Sequence, residues 1–333
     1  MNLTQTAKLT KRGLIVLAAL IFLGITGKVG YQIWYTNFYL PSLPPKIELP
    51  ENKFGVLPPV NFPKSDLKSS NYTYSIDTAT GGLPQTPKLV KVYFLPQAGV
   101  SLLAPDRSKD LATKLGFSNG PQILSQTQYK FSDDSGGNLT IDLNTGNFSF
   151  ERPIASASAD LQNNTLPDPP QLIANFKNYL QGKNLLPDGL KDGRSQVNYN
   201  GNSQSDAQTA SVTLWPADID KLPIITPAQQ GLITVTVTKA RDETKKFVKL
   251  NYTYWPVDKT TSSTYSIKTA QRAFDELKTG SAYMIKQPPK NQVSISSVYL
   301  AYFESADYPI YLQPVFVFEG PDFMAIIPAV TAS

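Results

Sequence analysis

The stretch that most constrains the fold lies near the end of the chain, at residues 265–280, and has the pattern of one amphipathic helix. Thr269 is a residue type that caps helix N-termini, and Gly280 can adopt the left-handed conformation that ends helices. Between them, apolar residues recur at i, i+3, i+4 and i+7, namely Ala270, Ala273, Phe274 and Leu277. A helix with a single apolar stripe must bury that stripe against another surface.

Three runs rich in β-branched and aromatic residues follow this helix and predict the sheet that covers it. They are residues 293–303, 310–318 and 323–330, and each is bounded by turn-forming residues. We therefore expect the helix to lie on one face of a sheet.

The order strand, strand, helix and three strands occurs at residues 72–151 and again at 231–330. From this repetition we predict an α+β fold in which an N-terminal transmembrane helix is followed by two tandem antiparallel-sheet units, each with helices packed on one face. The first unit is expected over residues 69–155 and the second over 156–333.

Each predicted unit contains a further helix with its own cap. In the first, Asp106 is the expected cap of a short helix with Leu111 on its apolar stripe. In the second, Asp168 is the expected cap, Pro169 the first helical residue and Gly182 the end. The apolar stripe of this helix is expected to be Leu172, Phe176, Tyr179 and Leu180.

The N-terminus predicts a membrane anchor. Lys8, Lys11 and Arg12 precede an apolar run over residues 13–27, and basic residues before such a run keep that end in the cytoplasm. The run extends past Lys28, whose long side chain can reach the interface, to an aromatic group. That group is Tyr31, Trp34 and Tyr35.

These features predict a cytoplasmic tail at residues 1–12 and a transmembrane anchor at 13–35, so the bulk of this single-pass chain is expected outside the cytoplasm. The competing interpretation is a cleaved signal peptide. No small-x-small cleavage site is evident, and a chain without cysteine cannot carry a lipoprotein anchor.

Residues 36–68 form a proline-rich linker. Seven prolines lie between residues 41 and 63. Proline at this density favours extended polyproline II structure, which predicts a stalk of roughly 70 Å if the segment is fully extended. The alternative is an irregular arm packed on the surface of the folded unit.

Composition excludes several classes of chemistry. The chain has no cysteine and no histidine, so disulfides, thiolate metal sites and Ser-His-Asp catalysis are absent. The net charge of +5 is spread among acidic residues without a dense basic run, which argues against nucleic-acid binding. We expect no cofactor and no metal ion.

Three local motifs suggest more specific chemistry, and each has a simpler explanation. Ser65 and Lys68 have the S-x-x-K spacing of penicillin-binding enzymes, but they lie in the linker and no S-D-N motif follows. Residues 133–138 carry carboxylates and amides that could bind Ca²⁺, but they lack the spacing of a known loop. Four acids in turns around the last strands could pair for acid/base work on a glycan. They are Glu304, Asp307, Glu319 and Asp322.

Two Trp-Pro pairs stand at the ends of predicted strands, at Trp215 and Trp255. Proline ends a hydrogen-bonded ladder, so strand termination with a packed aromatic ring is the simpler interpretation. The functional alternative is an aromatic platform for a ligand.

Residues 219–225, 232–238, 254–256 and 267–277 follow one another in an order that resembles the YycH/YycI-type regulators and the wider PepSY-like group. The segments around Tyr299 and Tyr311 resemble the closing strands of that group. The resemblance covers residues 216–330 and more weakly 72–151. It implies a membrane-anchored extracytoplasmic protein that contacts a partner such as a sensor kinase, and it supplies no catalytic residues.

These observations favour a non-enzymatic regulatory module that docks on another membrane or envelope protein. The alternative is a cell-envelope enzyme that acts on glycans through paired carboxylates, which requires two carboxyl groups about 5–9.5 Å apart.

Overall fold

The structure is a computed structural model that describes residues 3–39, 49–65, 68–97, 99, 101–154, 164–228 and 231–331. The chain divides into two compact units, Met1–Leu49 and Pro50–Ser333.

The first unit is built on one long helix, α1 (Leu3–Trp34), which continues as a π-helical turn at Tyr35–Tyr39. Its segment Leu14–Tyr39 has a mean hydropathy of 2.0 over its most apolar window, none of which is buried. By length and composition this helix could cross a membrane, although a signal sequence passes the same test. The rings of Tyr31 and Tyr35 stack with centroids 5.9 Å apart, so the predicted aromatic group forms one cluster.

The second unit contains five α-helices among the described residues. They are α2 (Ala104–Lys114), α3 (Pro169–Gly182), α4 (Asp188–Lys191), α5 (Glu243–Lys246) and α6 (Ala270–Thr279).

Seventeen strands accompany these helices in the described part of the chain. They are β1 (Thr73–Ile76), β2 (Leu89–Phe94), β3 (Asn119–Ile123), β4 (Gln128–Ser132), β5 (Asn138–Asp142), β6 (Phe148–Glu151), β7 (Ser195–Tyr199), β8 (Thr209–Leu214), β9 (Ile224–Ile225), β10 (Ile233–Thr238), β11 (Phe247–Tyr252), β12 (Ser262–Ser266), β13 (Tyr283–Lys286), β14 (Gln292–Ile295), β15 (Ser297–Phe303), β16 (Tyr311–Gly320) and β17 (Phe323–Pro328).

The strands form two main sheets. The first has eight strands in the order β3-β4-β5-β6-β11-β10-β8-β7 and is antiparallel throughout. The second has the order β12-β2-β16-β15-β9, with β17 also beside β16 and β13 beside β17. Two pairings depart from the antiparallel prediction, because β15 pairs with β9 and β1 pairs with β14 in parallel. The α+β class is as predicted.

The two sheets do not divide the chain between residues 155 and 156, where we predicted a boundary between tandem units. The β6 strand of the first predicted unit pairs with β11 of the second, with Phe150 opposite Leu250. In the other sheet, β2 pairs with β12 and β16. The reason is physical: alternating apolar residues show that a strand has a buried face, but they do not specify which other strand supplies its hydrogen bonds.

The eight-stranded sheet buries the predicted stripe of α3. The Asp168 carboxylate accepts a hydrogen bond from the Gln171 N–H at 3.2 Å, so the predicted cap is confirmed. The stripe residues of α3 are buried in the same core as the apolar residues of β8, β10 and β11. They are Leu172, Phe176, Tyr179 and Leu180.

The second sheet buries the stripe of α6 as predicted. The Thr269 hydroxyl accepts a hydrogen bond from the Arg272 N–H at 3.2 Å, and Gly280 ends the helix with φ of 96°. Leu277 is fully buried, while Phe274 is half-buried with its ring 6.1 Å from that of Phe318. Both residues pack in the core under the helix.

The helix α2 begins earlier than predicted. Asp106 is not its cap: the helix starts at Ala104, the preceding Leu103 makes no side-chain capping bond, and Pro105 lies in the first turn. Proline is favoured at this position because its missing N–H has no partner in the first turn of any helix. The proline therefore marks the start better than the aspartate.

Residues 50–62 of the predicted linker pack against the second sheet, so the packed-arm alternative is correct for this segment. The Glu51 N–H donates to the Thr264 carbonyl at 3.1 Å. Further along, the Phe54 ring lies 4.8 Å from the Tyr311 ring, and the Phe62 ring lies 5.0 Å from the Phe303 ring. Residues 40–48, which complete the predicted stalk, lie outside the described residues.

The packed arm predicts how trypsin cuts the linker. Replacing Phe62 by alanine removes a half-buried ring worth about 1–2 kcal/mol, so the open population of the arm should rise about 5- to 30-fold. Cleavage after Lys64 should accelerate by the same factor, measured by mass spectrometry of timed digests. The matched control is Val56→Ala, because the Val56 side chain is 79% exposed and should not change the rate. Equal rates for Phe62→Ala and the unaltered chain would show that the arm is free.

Candidate ligand-binding cavity

A cavity of about 280 Å³ lies where strands of both sheets end. From the eight-stranded sheet and its helices come Gly189 of α4, Pro216 after β8 and Trp255 after β11. From the second sheet come Leu312 of β16 and Glu304, which directly follows β15. The remaining aliphatic lining is Leu95, Ile219, Ile224 and Val257.

The Trp-Pro pairs explain why the chain leaves the eight-stranded sheet at this point. The strand β11 ends at Tyr252, and Pro256 follows the ring of Trp255. A proline cannot donate to a ladder, so pairing does not resume after the strand has ended, and Trp255 and Val257 on either side of Pro256 line the cavity. The Trp255 ring is 6% exposed, and its Nε1–H donates to the Ser305 carbonyl at 2.8 Å. This hydrogen bond joins the end of β11 to the end of β15.

Glu304 is the central polar group of the cavity. Its backbone N–H donates to the Ile225 carbonyl at 2.8 Å, which fixes the residue beside β9. The side chain is buried, with the residue only 4% exposed. No side chain or backbone group in the described part of the chain hydrogen-bonds to its carboxyl. Burial raises the pKa of the Glu304 carboxyl to about 8, so the group is mostly protonated at pH 7.

The rim of the cavity carries three further titratable groups. Burial raises the pKa of the Tyr254 hydroxyl, and the nearby Glu304 and Asp188 charges raise it further. Asp188 is exposed and bonded to Lys191 at 2.6 Å, and Lys259 is exposed at the opening. A Cβ at position 189 would lie 2.9 Å from the Tyr254 hydroxyl oxygen, so a larger residue there would displace the end of the Tyr254 side chain.

The two tryptophans of the predicted ligand platform line different cavities. Trp215 is buried under the Arg194 guanidinium, which lies 4.4 Å from the ring centroid. It faces a second, more polar cavity of about 290 Å³, which Ile225 also lines, whereas Ile224 lines the cavity of Trp255. Adjacent residues of a strand point to opposite sides, so β9 separates the two rings. They do not form one surface.

The four acids around the last strands do not form a pair in one cleft. Glu319 is paired with Ser297 at one end of β15, and Glu304 follows Phe303 at the other end. Seven residues of strand separate these ends by roughly 20 Å, which exceeds the spacing needed for glycoside hydrolysis. Asp307 and Asp322 are both exposed and line neither cavity.

The predicted calcium-binding alternative at residues 133–138 has a structural explanation. Asp133 binds the Arg152 Nε–H at 2.9 Å and accepts from the Gly137 N–H at 2.7 Å. Although burial opposes ionisation, hydrogen bonds from Ser135, Gly137 and Arg152 lower the pKa of Asp133. Both Asp133 oxygens therefore already accept hydrogen bonds from the protein. In the described part of the chain, no group of three acidic side chains could hold a metal ion.

Sequence reasoning identified Glu304 and Trp255 individually but missed the site. Glu304 was expected in an exposed turn, but it is buried. It directly follows Phe303, the last residue of a buried strand, and this position could have indicated burial. Tyr254 and Gly189 gave no signal of their own, because only the fold brings α4 beside the end of β11.

No protein-family model matches the chain, and no curated protein matches it in sequence. Among solved structures, the chain is similar to the crystal structure of an uncharacterized protein from Eubacterium rectale, with 11% identity and a TM-score of 0.42 over 78% of this chain and 90% of that chain. A likeness of this size carries no argument. The geometry alone defines the class: an α+β protein with an apolar N-terminal helix and a cavity between two sheets.

The buried carboxyl predicts how stability depends on pH. The pKa of Glu304 rises from its ordinary 4.5 to about 8 on folding, so between these values the folded state holds a proton that the unfolded state has lost. Stability therefore falls as pH rises through this window. Glu304→Gln removes the effect, and the variant should gain about 3 kcal/mol relative to the unaltered chain at pH 7 and almost nothing at pH 4.

Urea unfolding of both proteins in neutral detergent, followed by near-UV circular dichroism from pH 4 to pH 8, measures this difference. A constant difference across the range would mean that the carboxyl is not desolvated in the folded state.

Proposed function

We propose that this chain is a non-enzymatic binding module, anchored in a membrane by α1, whose bulk lies outside the cytoplasm and docks on another membrane or envelope protein. The observation that carries the proposal is the Leu14–Tyr39 helix, whose apolar window has no side chain buried by the protein. An apolar surface of this length requires a non-aqueous environment.

The length and flanks of the helix fit a membrane. A segment of 26 residues spans about 39 Å as a helix, more than the roughly 30 Å of a bilayer core. Lys8, Lys11 and Arg12 precede the apolar run, and the stacked rings of Tyr31 and Tyr35 lie near its other end. Basic residues favour the cytoplasmic side and aromatic residues favour the interface, which supports an orientation with the folded unit outside.

Anchoring by α1 favours a docking partner that lies in the same membrane. Confinement to the membrane surface raises the effective concentration of the folded unit towards neighbouring membrane proteins, so a weak docking contact suffices. The chain has no histidine or cysteine, which removes the commonest nucleophile–base pairs. The resemblance to YycH/YycI-type regulators implies the same kind of action. The glycan-enzyme alternative gains no support from carboxylates at opposite ends of β15.

The absence of native cysteine allows a direct test of the orientation. Single cysteines placed by Thr4→Cys and Asn202→Cys should react differently with a membrane-impermeant maleimide in intact cells. Asn202 lies in an exposed loop of the folded unit, so its cysteine should be labelled at once, whereas Thr4→Cys should require permeabilised cells. The cysteine-free chain is the control for background. The reverse pattern, or release of the folded unit from the membrane fraction without α1, contradicts the anchor.

If the chain docks on another protein, crosslinking should join it to a protein and not to a glycan. A cleavable lysine-reactive crosslinker applied to intact membranes should give a discrete, protease-sensitive product larger than the chain, which mass spectrometry identifies. A version of the folded unit that is secreted without α1 should give at least about tenfold less product, because the effective concentration is lost. Crosslinks only to the chain itself, or only polysaccharide recovered with it, would contradict docking.

A further inference from the structure

Glu304 lines the cavity between the sheets, and no group in the described part of the chain hydrogen-bonds to its carboxyl. Only two charged residues are buried among those that the structure describes, Arg152 and Glu304. Arg152 is fully bonded, to Asp133 and to the carbonyls of Leu115 and Phe247. Glu304 has no such bonds and lines a cavity. The carboxyl oxygens of Glu304 therefore face the space of the cavity, where a bound group and not the protein would pair with them.

The residues around Glu304 indicate what kind of molecule the cavity can hold. Leu95, Ile224 and Leu312 make the wall apolar, and the rings of Tyr254 and Trp255 complete it. Such a wall fits a hydrocarbon body. The volume of about 280 Å³ is just below the range of about 300–1,000 Å³ for drug-sized ligand pockets, which favours a small molecule or one side chain.

The charges around the cavity favour a cation over an anion. Asp188 is already paired with Lys191 of the same helix, α4. The titratable groups that line the cavity are Asp188, Tyr254, Lys259 and Glu304. Lys259, the only cation among them, is exposed at the opening, so a buried anion would meet no buried positive partner. A cation would meet the Glu304 carboxylate in an apolar site, where an ion pair is stronger than in water.

We propose that this cavity binds an organic ammonium group on a small apolar body, with the Glu304 carboxylate as its counter-ion. Binding transfers the Glu304 proton to solvent and replaces a desolvated neutral acid with an ion pair. The ammonium can belong to a free amine or to the lysine side chain of a partner, which has the same hydrocarbon stem and charge.

Isothermal titration calorimetry of the full chain in neutral detergent tests the proposal with three probes of one shape. Benzylamine is cationic, benzyl alcohol neutral and benzoate anionic. We expect saturable binding of benzylamine in 1:1 ratio, at least about tenfold weaker binding of the other two, and affinity for benzylamine that rises more than about tenfold from pH 6 to pH 8 as Glu304 loses its proton more easily.

Two variants test whether benzylamine binding depends on the Glu304 carboxyl in particular. Glu304→Gln keeps the shape and should weaken benzylamine binding by about 100-fold and remove its pH dependence. Glu319→Gln changes a carboxylate in the other cavity and should leave the affinity unchanged. The three-probe series on the unaltered chain does not depend on either variant folding.

Nα-acetyl-lysine N-methylamide distinguishes the two sources of the ammonium group. If it binds in a Glu304-dependent way, a partner's lysine fits the cavity; if only benzylamine does, the ligand is a free amine. Both results support the proposal. It is overturned if neither amine binds saturably, if benzyl alcohol or benzoate binds as tightly as benzylamine, or if Glu304→Gln leaves amine affinity and its pH dependence unchanged.

Discussion

The structure of the folded unit depends on burying both faces of β16. Along this strand, Phe316 and Phe318 face the core under α6, whereas Val315 and Val317 belong to the core on the opposite face. Successive residues of a strand point to opposite faces, so neither face can be left to water. The helix covers one face, and the arm, through Val60 and Phe62, covers the other. A segment that looks like a spacer in the sequence is therefore part of the core.

The cavity follows from the way this buried sheet meets the eight-stranded one. Among the residues that the structure describes, the two sheets share no ladder, and they are joined where their strands end, for example by the hydrogen bond from the Trp255 ring to the Ser305 carbonyl. Side chains at strand ends cannot interdigitate as completely as those on facing sheet surfaces, so space remains. Glu304 is held there by its own backbone, because its N–H is fixed to Ile225. This bond fixes the backbone of Glu304 beside the cavity that its side chain lines.

Local features of this fold were predictable from the sequence, and long-range ones were not. The caps Thr269 and Asp168 and the stripes of α6 and α3 are set by residues within one helix, and all are confirmed. The strand β7 (Ser195–Tyr199) was missed because its sequence is largely polar and it lies at a sheet edge, where burial is partial. The interleaving of strands between the two sheets depends on pairings between residues about 100 to 220 positions apart, which alternation alone does not encode. The cavity was missed for the same reason, since its walls come from segments between Leu95 and Leu312 that are far apart in the sequence.

The arm and the cavity meet at the end of one strand. Phe303, the last residue of β15, packs against Phe62 of the arm, and the next residue, Glu304, lies in the cavity. Similarly, Gln313 donates to the Pro58 carbonyl at 2.9 Å, while the neighbouring Leu312 lines the cavity. Because alternate residues of a strand face opposite sides, a displacement of either strand end acts on both surfaces at once.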